Sequence, residues 1–323
     1  SMFRIASQSK AIASVGIMML QEQGKLLLSD PVGKYIPEFM ETTVAKAGEG
    51  DEYEVVSANR LITIRDLLTH TAGIGYGGGP AADQWAKAEI QGWYFAHRDE
   101  PILTTVKKMA ALPMEAQPGE RFVYGYNTDI LGAVIEVVSG ESLDVFLKNH
   151  ILDPLGMEDT YFYVPENKAD RLAVVYSATK DGLERSPEPG GMVGQGQYVD
   201  GPRMSFSAGA GLLSTASDYY KFLQMMLNGG ELNGVRIISP KTVELMTVNH
   251  LDEVEFPWKG GTGFGLGFDV LLDLGARGTP GTVGEYGWGG AYHSDYWVDP
   301  KEELVVVYFT QLIPANTVDD HQK

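Results

Sequence analysis

The sequence contains no cysteine and no long apolar run. Because none of its 323 residues is a cysteine, disulfides, thiol nucleophiles and cysteine-ligated zinc are excluded. The nearest candidate for a membrane span, IASVGIMML, is shorter than the ~18 apolar residues that a spanning helix needs, and the polar stretch QEQGK follows it directly. We therefore expect no membrane span.

Positive charge is scarce as well. Lys and Arg number 25 against 43 Asp and Glu, which gives a net charge of −18. A strongly acidic surface disfavours nucleic acid and anionic membranes, so we expect neither as a partner. Hydrophobic residues make up 44% and charged residues 21% of the chain, a balance that suits a globular fold with a large core in one domain or two closely joined ones.

Several motifs of known chemistry are also missing. The six histidines show no HxxxH or HxH spacing, so no metal site is predicted. No GxSxG elbow occurs, which argues against an α/β-hydrolase, although a Ser-His-Asp triad stays open. There is no P-loop, and no GxGxxG follows a predicted strand. We expect neither a cofactor nor a metal ion.

Helical patterns fill the middle of the chain and strand patterns fill its end. Apolar spacing predicts a helix from Ser7 to about Gln23, a short helix at about 63–70, and further helices in EPILTTVKKMAALPM, DILGAVIEVVSG and TASDYYKFLQMMLNGG. The stretches FGLGFDVLLD, GEYGWGGAYHSDYWVDP and LVVVYFTQL predict successive antiparallel strands. This segregation of helices and strands predicts an α+β fold.

Glycine and proline are dense between these two regions. From Tyr176 to about Pro202 the sequence shows no regular period, and KDGLERSPEPGGMVGQGQYVDGP predicts a long loop. Loops of this length without structure of their own are usually functional lids or disordered segments. We therefore expect residues 181–204 to line a binding pocket.

The stretch SQSK at residues 7–10 fits two interpretations. Residues three apart on a helix share a face, so the Lys10 amine can reach the Ser7 hydroxyl and act as the base that a serine nucleophile needs. The free N–H groups of a helix start also suit an oxyanion. The same pattern equally fits a capping serine beside a solvated lysine. A second match, Ser177 to Lys180, ends in a turn instead of a helix.

Two later stretches carry further candidates. Tyr124 follows the Pro118-Gly119 turn just before a predicted helix. A tyrosine held near cations can act as a base, but the same position suits an aromatic core residue. Gly289 and Gly290 interrupt an apparent strand, where glycine marks either the close approach of a ligand or a β-bulge.

In their order along the chain, these stretches resemble the serine β-lactamase-like superfamily of class C β-lactamases, DD-peptidases and family VIII carboxylesterases. The resemblance rests on FRIASQSK, TIRDLLTHTAGI, PGERFVYGYNTDILGAVIEVVSG, AGAGLLSTASDYYKFLQMMLNGG and GWGGAYHSDYWVDPKEELVVVYFTQL, which span nearly the whole chain. It implies a β-lactamase/transpeptidase-like fold, in which an antiparallel sheet flanked by helices meets an all-helical region and the active site lies between them.

The resemblance also implies a division of the chain. Residues 1–29 and 205–323 would form the sheet domain, and residues 30–204 would form a mainly helical domain that includes the loop 181–204. In relatives, strands before the SxxK motif and a C-terminal helix complete the sheet domain. We therefore expect that the sheet domain is truncated at both ends.

The resemblance assigns roles to four residues. Ser7 would be the acylated nucleophile, and Lys10 its partner in proton transfer. Tyr124 holds the tyrosine place in the pattern PG-x-x-F-x-Y, so it would act as the base in acylation or activate water in deacylation. The backbone N–H groups of Ser7 and Ala291 would form the oxyanion hole.

Two departures from the family pattern favour an esterase. Tyr126 stands where lactamases and DD-peptidases carry asparagine, and Asn127 comes one position late. Trp288, which precedes Gly289 and Gly290, stands where lactamases carry the lysine of Lys-Thr-Gly. It offers an apolar wall and one N–H donor instead of a cation for a substrate carboxylate. We expect these five residues to bind substrate and the enzyme to be a carboxylesterase for small neutral esters with short acyl chains.

Two alternative functions follow from the same resemblance. The first is a β-lactamase or D-amino-acid peptidase of the same superfamily, against which Tyr126 and Trp288 argue. The second is an inactive relative that serves as a binding module. The presence of Ser7, Lys10 and Tyr124 argues against it.

Overall fold

A computed structural model describes residues 1–50 and 52–315. Residues 316–323, at the end of the predicted sheet domain, lie outside these ranges. The described α-helices are α1 (Ser9–Glu22), α2 (Ile64–Leu68), α3 (Ala82–Lys87), α4 (Ile102–Ala110), α5 (Asn127–Ser139), α6 (Leu143–Leu147), α7 (Ala216–Leu227), α8 (Pro240–Met246) and α9 (Leu274–Arg277). The described strands are β1 (Phe3–Arg4), β2 (Thr43–Ala47), β3 (Tyr53–Ser57), β4 (Tyr176–Thr179), β5 (Gly182–Arg185), β6 (Leu213–Ser214), β7 (Glu231–Leu232), β8 (Val235–Arg236), β9 (Thr262–Phe264), β10 (Asp269–Leu271), β11 (Tyr286–Gly290), β12 (Ser294–Asp299) and β13 (Leu304–Tyr308).

The largest sheet is a meander of the last five described strands. Its order is β13-β12-β11-β10-β9, and every neighbouring pair is antiparallel. Tyr286 lies opposite Val298 and Gly290 lies opposite Ser294, so β11 and β12 form a hairpin with a tight connection. The strands predicted from aromatic and β-branched runs are confirmed, and with the helices they confirm the α+β fold.

Helix α1 lies at the centre of the molecule and is buried along most of its length. Ile12 and Val15 are fully buried, because α1 packs on α5 and α6. A β-carbon at Gly16 would lie 3.2 Å from side-chain atoms of both Ile135 and Phe146, so glycine allows the close approach of these helices. The predicted helix at Ser7–Gln23 is confirmed, with a single 3-10 turn over Ala6–Gln8 at its start.

Local signals set the ends of the other helices. Thr63 caps α2 in a capping box with Asp66, as the Thr-x-x-Asp pattern favours. Gly140, with a φ of 76°, ends α5 in the left-handed conformation that glycine adopts most easily. Thr215 caps α7. The Tyr219 hydroxyl on α7 then donates to the Gln8 carbonyl at 2.9 Å, which anchors the turn before α1.

The region predicted as one long loop contains a hairpin. Strands β4 and β5 pair in antiparallel register, with Tyr176 opposite Arg185. All four residues of β5 are exposed, so its sequence lacks the apolar alternation that marks a half-buried strand. The prediction of loop structure was therefore wrong for residues 176–185. A second hairpin that the sequence analysis missed, β2–β3, lies within the region predicted to be mainly helical.

The helices of the described ranges are all too short or too polar to cross a membrane.

Candidate active site

The candidate nucleophile lies on a strained turn at the entrance to the central helix. Ala6 has a φ of 43°, a conformation that residues with a β-carbon rarely adopt and that persists only where the surroundings enforce it. The turn is held on one side by the pairing of β1 with β6. From Arg4 to Lys10, every residue except Ser7 is buried, so the turn presents the Ser7 side chain at the protein surface.

Lys10 lies under this serine and is only 2% exposed. Its ammonium nitrogen lies 3.3 Å from Ser7 Oγ, 3.0 Å from the Tyr76 hydroxyl and 2.8 Å from the carbonyl oxygen of Gly209. The same nitrogen lies 4.5 Å from the ring centroid of Tyr124. These contacts contradict the interpretation of Lys10 as a solvated side chain, and they bring all three predicted catalytic residues into one cluster.

Tyr124 is held between this ammonium and an indole. Trp288 Nε1 donates a hydrogen bond to the Tyr124 hydroxyl at 3.0 Å. Such an N–H donor, together with a cation over the ring, suits a tyrosine that exchanges a proton during a reaction. The N–H group of Trp288, which the sequence analysis expected to face substrate, is bonded to Tyr124 instead.

An aromatic wall extends from this pair toward solvent. We use this name for Trp258, Trp288 and Phe256. Trp258 lies 5.1 Å from Tyr124 and 5.5 Å from Trp288 between ring centroids, and it is 53% exposed. Trp288 is 7% exposed and packs on Phe256. The wall offers an apolar surface beside the Tyr124 hydroxyl.

The end of β11 lies against the turn that carries Ser7. A β-carbon at Gly290 would lie 2.7 Å from the Ile5 carbonyl oxygen, so only glycine allows this approach without a shift. Gly289 precedes it and is half-buried, and Ala291 follows it as an exposed residue. Ser7 is the second residue of a 3-10 turn, where a backbone N–H lacks an acceptor within its own turn.

Tyr76 belongs to the cluster, although the sequence analysis did not single it out. Its hydroxyl accepts a hydrogen bond from Lys10, and its ring stands edge-on to Tyr124 with centroids 5.7 Å apart. Burial, with a smaller contribution from Tyr124, raises the pKa of Tyr76 well above its ordinary value. The glycine-rich stretch GIGYGGGP around it is typical of a flexible loop, so no local pattern distinguishes this tyrosine.

Tyr126 and Asn127 are turned into the core instead. Both are fully buried. The Tyr126 hydroxyl donates to the Gly92 carbonyl at 2.8 Å, and its ring stacks on Trp85. The Asn127 amide nitrogen donates to the Ile74 carbonyl at 3.0 Å. Tyr126 contacts the cluster at Tyr76, with ring centroids 5.1 Å apart. No hydrogen bond among the described residues joins Tyr126 or Asn127 to Ser7 or Lys10, in contrast to the expectation that both side chains contact substrate.

The reason for this burial lies at Gly125. A β-carbon there would lie 2.3 Å from the Ile74 carbonyl oxygen, so the backbone runs directly against the loop that contains Tyr76. The chain then enters α5 at Asn127. This close contact directs the residues after Tyr124 into the interior, which a count of positions after the tyrosine could not reveal.

His70 packs against Tyr124 and lies within hydrogen-bond distance of Asn127. Its ring centroid lies 4.7 Å from that of Tyr124, and its Nδ1 lies 2.9 Å from the Asn127 amide nitrogen. Burial and the charge of Lys10 lower the pKa of His70 well below its ordinary value, so the ring is neutral. A neutral Nδ1 without a proton accepts the Asn127 N–H. No group of three or more His, Asp or Glu in the described part of the chain could hold a metal ion.

Comparisons with known proteins agree in covering nearly the whole chain. A family model described as Beta-lactamase matches residues 1–322. The chain is 30% identical to Esterase EstB of Burkholderia gladioli, over 96% of this chain and 77% of that protein. It is 27% identical to a putative D-alanyl-D-alanine carboxypeptidase of Escherichia coli K12, over 100% of this chain and 71% of that protein. The solved structure of EstCE1, a hydrolase with promiscuous acyltransferase activity, is similar with a TM-score of 0.79 and 29% identity, over 96% of this chain and 80% of that one.

Proposed function

The chain belongs to the Beta-lactamase family, and we propose from this membership that it is a serine hydrolase that works through an acyl-enzyme. Within the family we propose a carboxylesterase for small neutral esters with short acyl chains. The observation that carries the proposal is the buried Lys10 ammonium, which contacts the Ser7 hydroxyl and the face of Tyr124 together. Similarity to Esterase EstB and to EstCE1 supports the esterase branch.

In acylation, Ser7 Oγ attacks the ester carbonyl carbon, and its proton passes to neutral Lys10 or to ionised Tyr124. The backbone N–H groups of Ser7 and Ala291 bind the oxyanion that forms. When this intermediate collapses, the bond between the carbonyl carbon and the alcohol oxygen breaks. The alcohol leaves with the proton, and an ester on Ser7 remains.

In deacylation, water takes the place of the alcohol. Tyr124 accepts a proton from this water as the water oxygen attacks the acyl carbon. The bond to Ser7 Oγ breaks, the carboxylic acid leaves and the proton returns to Ser7. The Trp288 N–H on the Tyr124 oxygen and the Lys10 ammonium on its ring stabilise the negative form of Tyr124 during this exchange.

The surroundings of Tyr124 support a neutral substrate. Trp288 supplies no cation to a substrate carboxylate, and its N–H is bonded to Tyr124. The aromatic wall favours apolar groups beside the reacting atoms. Tyr126 and Asn127 are fully buried, and the Asn127 amide nitrogen already donates to the Ile74 carbonyl, which argues against contact with an acyl-amide side chain. We therefore restrict the proposed substrate contacts to Trp288, Gly289 and Gly290.

The loop 181–204 remains a proposed part of the substrate pocket. Met192 lies against Gly92, where a β-carbon would come within 2.9 Å of its sulfur. Trp93, which follows Gly92, packs edge-on against Tyr292. Tyr292 in turn directly follows Ala291. The loop thus reaches residues next to the proposed oxyanion hole. Shortening residues 187–197 should change the preference between acyl chain lengths, and unchanged preference would contradict this placement.

The test compares substrate classes on the purified protein. Turnover of p-nitrophenyl acetate, butyrate and octanoate is measured beside nitrocefin and a peptide ending in D-Ala-D-Ala. We expect fast hydrolysis of the short esters and little of the lactam or the peptide. Faster turnover of nitrocefin or the peptide would instead support the alternative that the carboxypeptidase similarity favours.

Three variants test the residues. Ser7→Ala and Tyr124→Phe should abolish ester turnover, and Ser7→Ala should also lose labelling by a fluorophosphonate probe. The matched control is Ser177→Ala, in the second SxxK sequence. Ser177 lies in β4 and bonds Ser186 and the Ile313 carbonyl, so its removal should leave activity unchanged. An active Ser7→Ala enzyme would refute the proposal, and a wild-type protein that is neither labelled nor active would support an inactive binding relative.

A further inference from the structure

Asp129 is a buried carboxyl group for which the proposed mechanism has no use. It lies in the first turn of α5 and is 1% exposed. Its Oδ1 accepts hydrogen bonds from the Ser207 hydroxyl at 2.6 Å and from the Gly209 N–H at 3.1 Å. Its Oδ2 has no hydrogen-bond partner among the described residues. A carboxyl group in such a place requires donors or a counter-charge.

Gly209 connects this carboxyl group to the candidate base. Its N–H donates to Asp129, and its carbonyl oxygen accepts from the Lys10 ammonium at 2.8 Å. A β-carbon at Gly209 would lie 2.4 Å from Asp129 Oδ2, so only glycine lets the carboxyl group lie directly against this backbone. The Ser207 hydroxyl also accepts from the Ala210 N–H at 3.1 Å, which closes the turn around Asp129.

The charged and titratable groups around Asp129 come from several elements. Lys10 on α1, Tyr76 in the loop after α2 and Tyr126 before α5 all act on it or feel its charge. Burial raises the pKa of Asp129, and the Ser207 hydrogen bond and the Lys10 charge oppose that rise. The two donors on Oδ1 and the nearby Lys10 charge favour the ionised form.

The groups that face Lys10 leave Asp129 as its counter-charge. Tyr76 and Gly209 bond to the ammonium through a phenol and a carbonyl, and Tyr124 presents its ring face. His70 is neutral, because burial and Lys10 itself lower its pKa. Arg98 acts electrostatically on Tyr126.

We propose that Asp129 is a positioning residue for Lys10. As a carboxylate it holds residues 207–210 so that the Gly209 carbonyl receives the ammonium, and it supplies the negative charge that keeps this ammonium buried beside Ser7. It does not contact the reacting atoms. The inference rests on the proposed function, because it concerns the base of that reaction.

The first variant is Asp129→Asn, which keeps the acceptor oxygen and removes the charge. Loss of the negative charge disfavours protonated Lys10 and favours ionised Tyr124. Whichever of the two is the base, its active form then persists to lower pH. The acidic limb of kcat/KM against pH should therefore shift to lower pH, by about half a pH unit or more.

The matched control is Asp144→Asn. Asp144 lies in the first turn of the next helix, α6, so this variant makes the same change in net charge away from Lys10. Its pH profile should equal that of the wild type. A purely structural role of Asp129 would lower activity or stability without moving the limb, and an Asp129→Asn profile equal to the control would overturn the proposal.

A second variant decides the matter if Asp129→Asn does not fold. Gly209→Ala places a methyl group against Asp129 Oδ2 and should displace the carbonyl from Lys10. We expect kcat to fall by on the order of tenfold to 100-fold with little change in KM, and wild-type kcat would overturn the proposal. Failure of the proposed function is seen separately, as an active Ser7→Ala enzyme or a wild type that a fluorophosphonate does not label.

Discussion

At the scale of single residues, the contacts of one side chain change the meaning of a sequence position. The resemblance to β-lactamases implies a lysine at position 288, and the tryptophan that stands there has two possible partners, substrate and Tyr124. The 3.0 Å bond from its Nε1 to the Tyr124 hydroxyl favours the second role. A neutral N–H donor stabilises a phenolate less strongly than a full positive charge does.

Replacement of Trp288 by phenylalanine tests this role. Phenylalanine keeps an aromatic ring in the wall but removes the N–H donor from Tyr124. Ionisation of Tyr124 then becomes harder, so the acidic limb of kcat/KM against pH should move to higher pH, with kcat reduced by about tenfold. KM for p-nitrophenyl acetate should change little. A raised KM with an unchanged pH profile would show that Trp288 acts on substrate alone.

The matched control for this prediction is Trp258→Phe. Trp258 is in the same aromatic wall but is half exposed, and no hydrogen bond joins it to Tyr124 among the described residues. This variant should leave the pH profile in place and alter only KM for apolar esters. Together the two variants distinguish the effect of the wall's apolar surface on KM from the effect of the Trp288 N–H donor on Tyr124.

Residues of the candidate site differ in how far the sequence predicts them. Ser7 and Lys10 are three positions apart at a helix start, so local geometry alone brings them together. Tyr76 is 66 positions from Lys10, and its place depends on how a glycine-rich loop folds back over α1. Asp129 reads as a helical residue and is joined to Lys10 through Gly209, a residue 80 positions away, so no local pattern reveals it.

At the scale of elements, the end of β11 determines how closely the sheet approaches the turn that carries Ser7. The space between Gly290 and Ile5 is too small for a side chain, because a β-carbon would lie 2.7 Å from the Ile5 carbonyl oxygen. Gly289, one residue earlier, has more room, since a β-carbon there would lie 3.3 Å from its nearest neighbour, the Ser294 carbonyl oxygen. The two glycines therefore form a matched pair for substitution.

Gly290→Ala should separate β11 from the turn that carries Ser7. We expect kcat/KM for short esters to fall by on the order of 100-fold, because the Ala291 N–H moves out of line with that of Ser7. Gly289→Ala should cost less than about tenfold. Both proteins are compared in ester turnover and in thermal unfolding. Equal losses in the two variants would contradict a role for the close approach at Gly290.

Elements with a buried face are those that the sequence predicts well. Helix α1 and the strands β11 to β13 show clear apolar patterns because each packs against the core. The hairpin β4–β5 has no such pattern, since all of β5 is exposed, and its backbone pairing is what holds it together. Strand β3 likewise has no buried residue, which explains why the hairpin β2–β3 was missed in a region that otherwise reads as helical.

At the scale of the whole molecule, the first residues of the chain join distant segments. Strand β1 pairs with β6, and Met2 pairs with Leu172, so this end of the chain contacts both of the proposed domains. Arg4 extends this link, because its guanidinium donates to the carbonyl oxygens of Ala173 and Gln195 and to Gln311 Oε1. Burial lowers the pKa of Arg4, yet the group stays charged because an arginine pKa begins far above neutrality.

Arg4→Lys should show how much this link stabilises the fold. Lysine keeps the charge but cannot reach the carbonyls of residues 173 and 195 at once, so buried acceptors lose their donors. We expect the free energy of unfolding in urea to fall by about 2–4 kcal/mol. The control is Arg185→Lys, since Arg185 is exposed and its guanidinium forms a surface ion pair with Glu188, and it should change stability by less than about 0.5 kcal/mol.

The same variant tests whether the link reaches the active site. Arg4 precedes the strained Ala6 by two residues and holds the loop at Gln195 by its main chain. Loosening this contact should relax both the turn under Ser7 and the loop 181–204. We therefore expect a lower kcat for p-nitrophenyl butyrate, measured well below the unfolding temperature, where the protein is still native. If Arg4→Lys lowers only the unfolding free energy and leaves kcat intact, Arg4 stabilises the assembly of the chain ends without positioning the nucleophile.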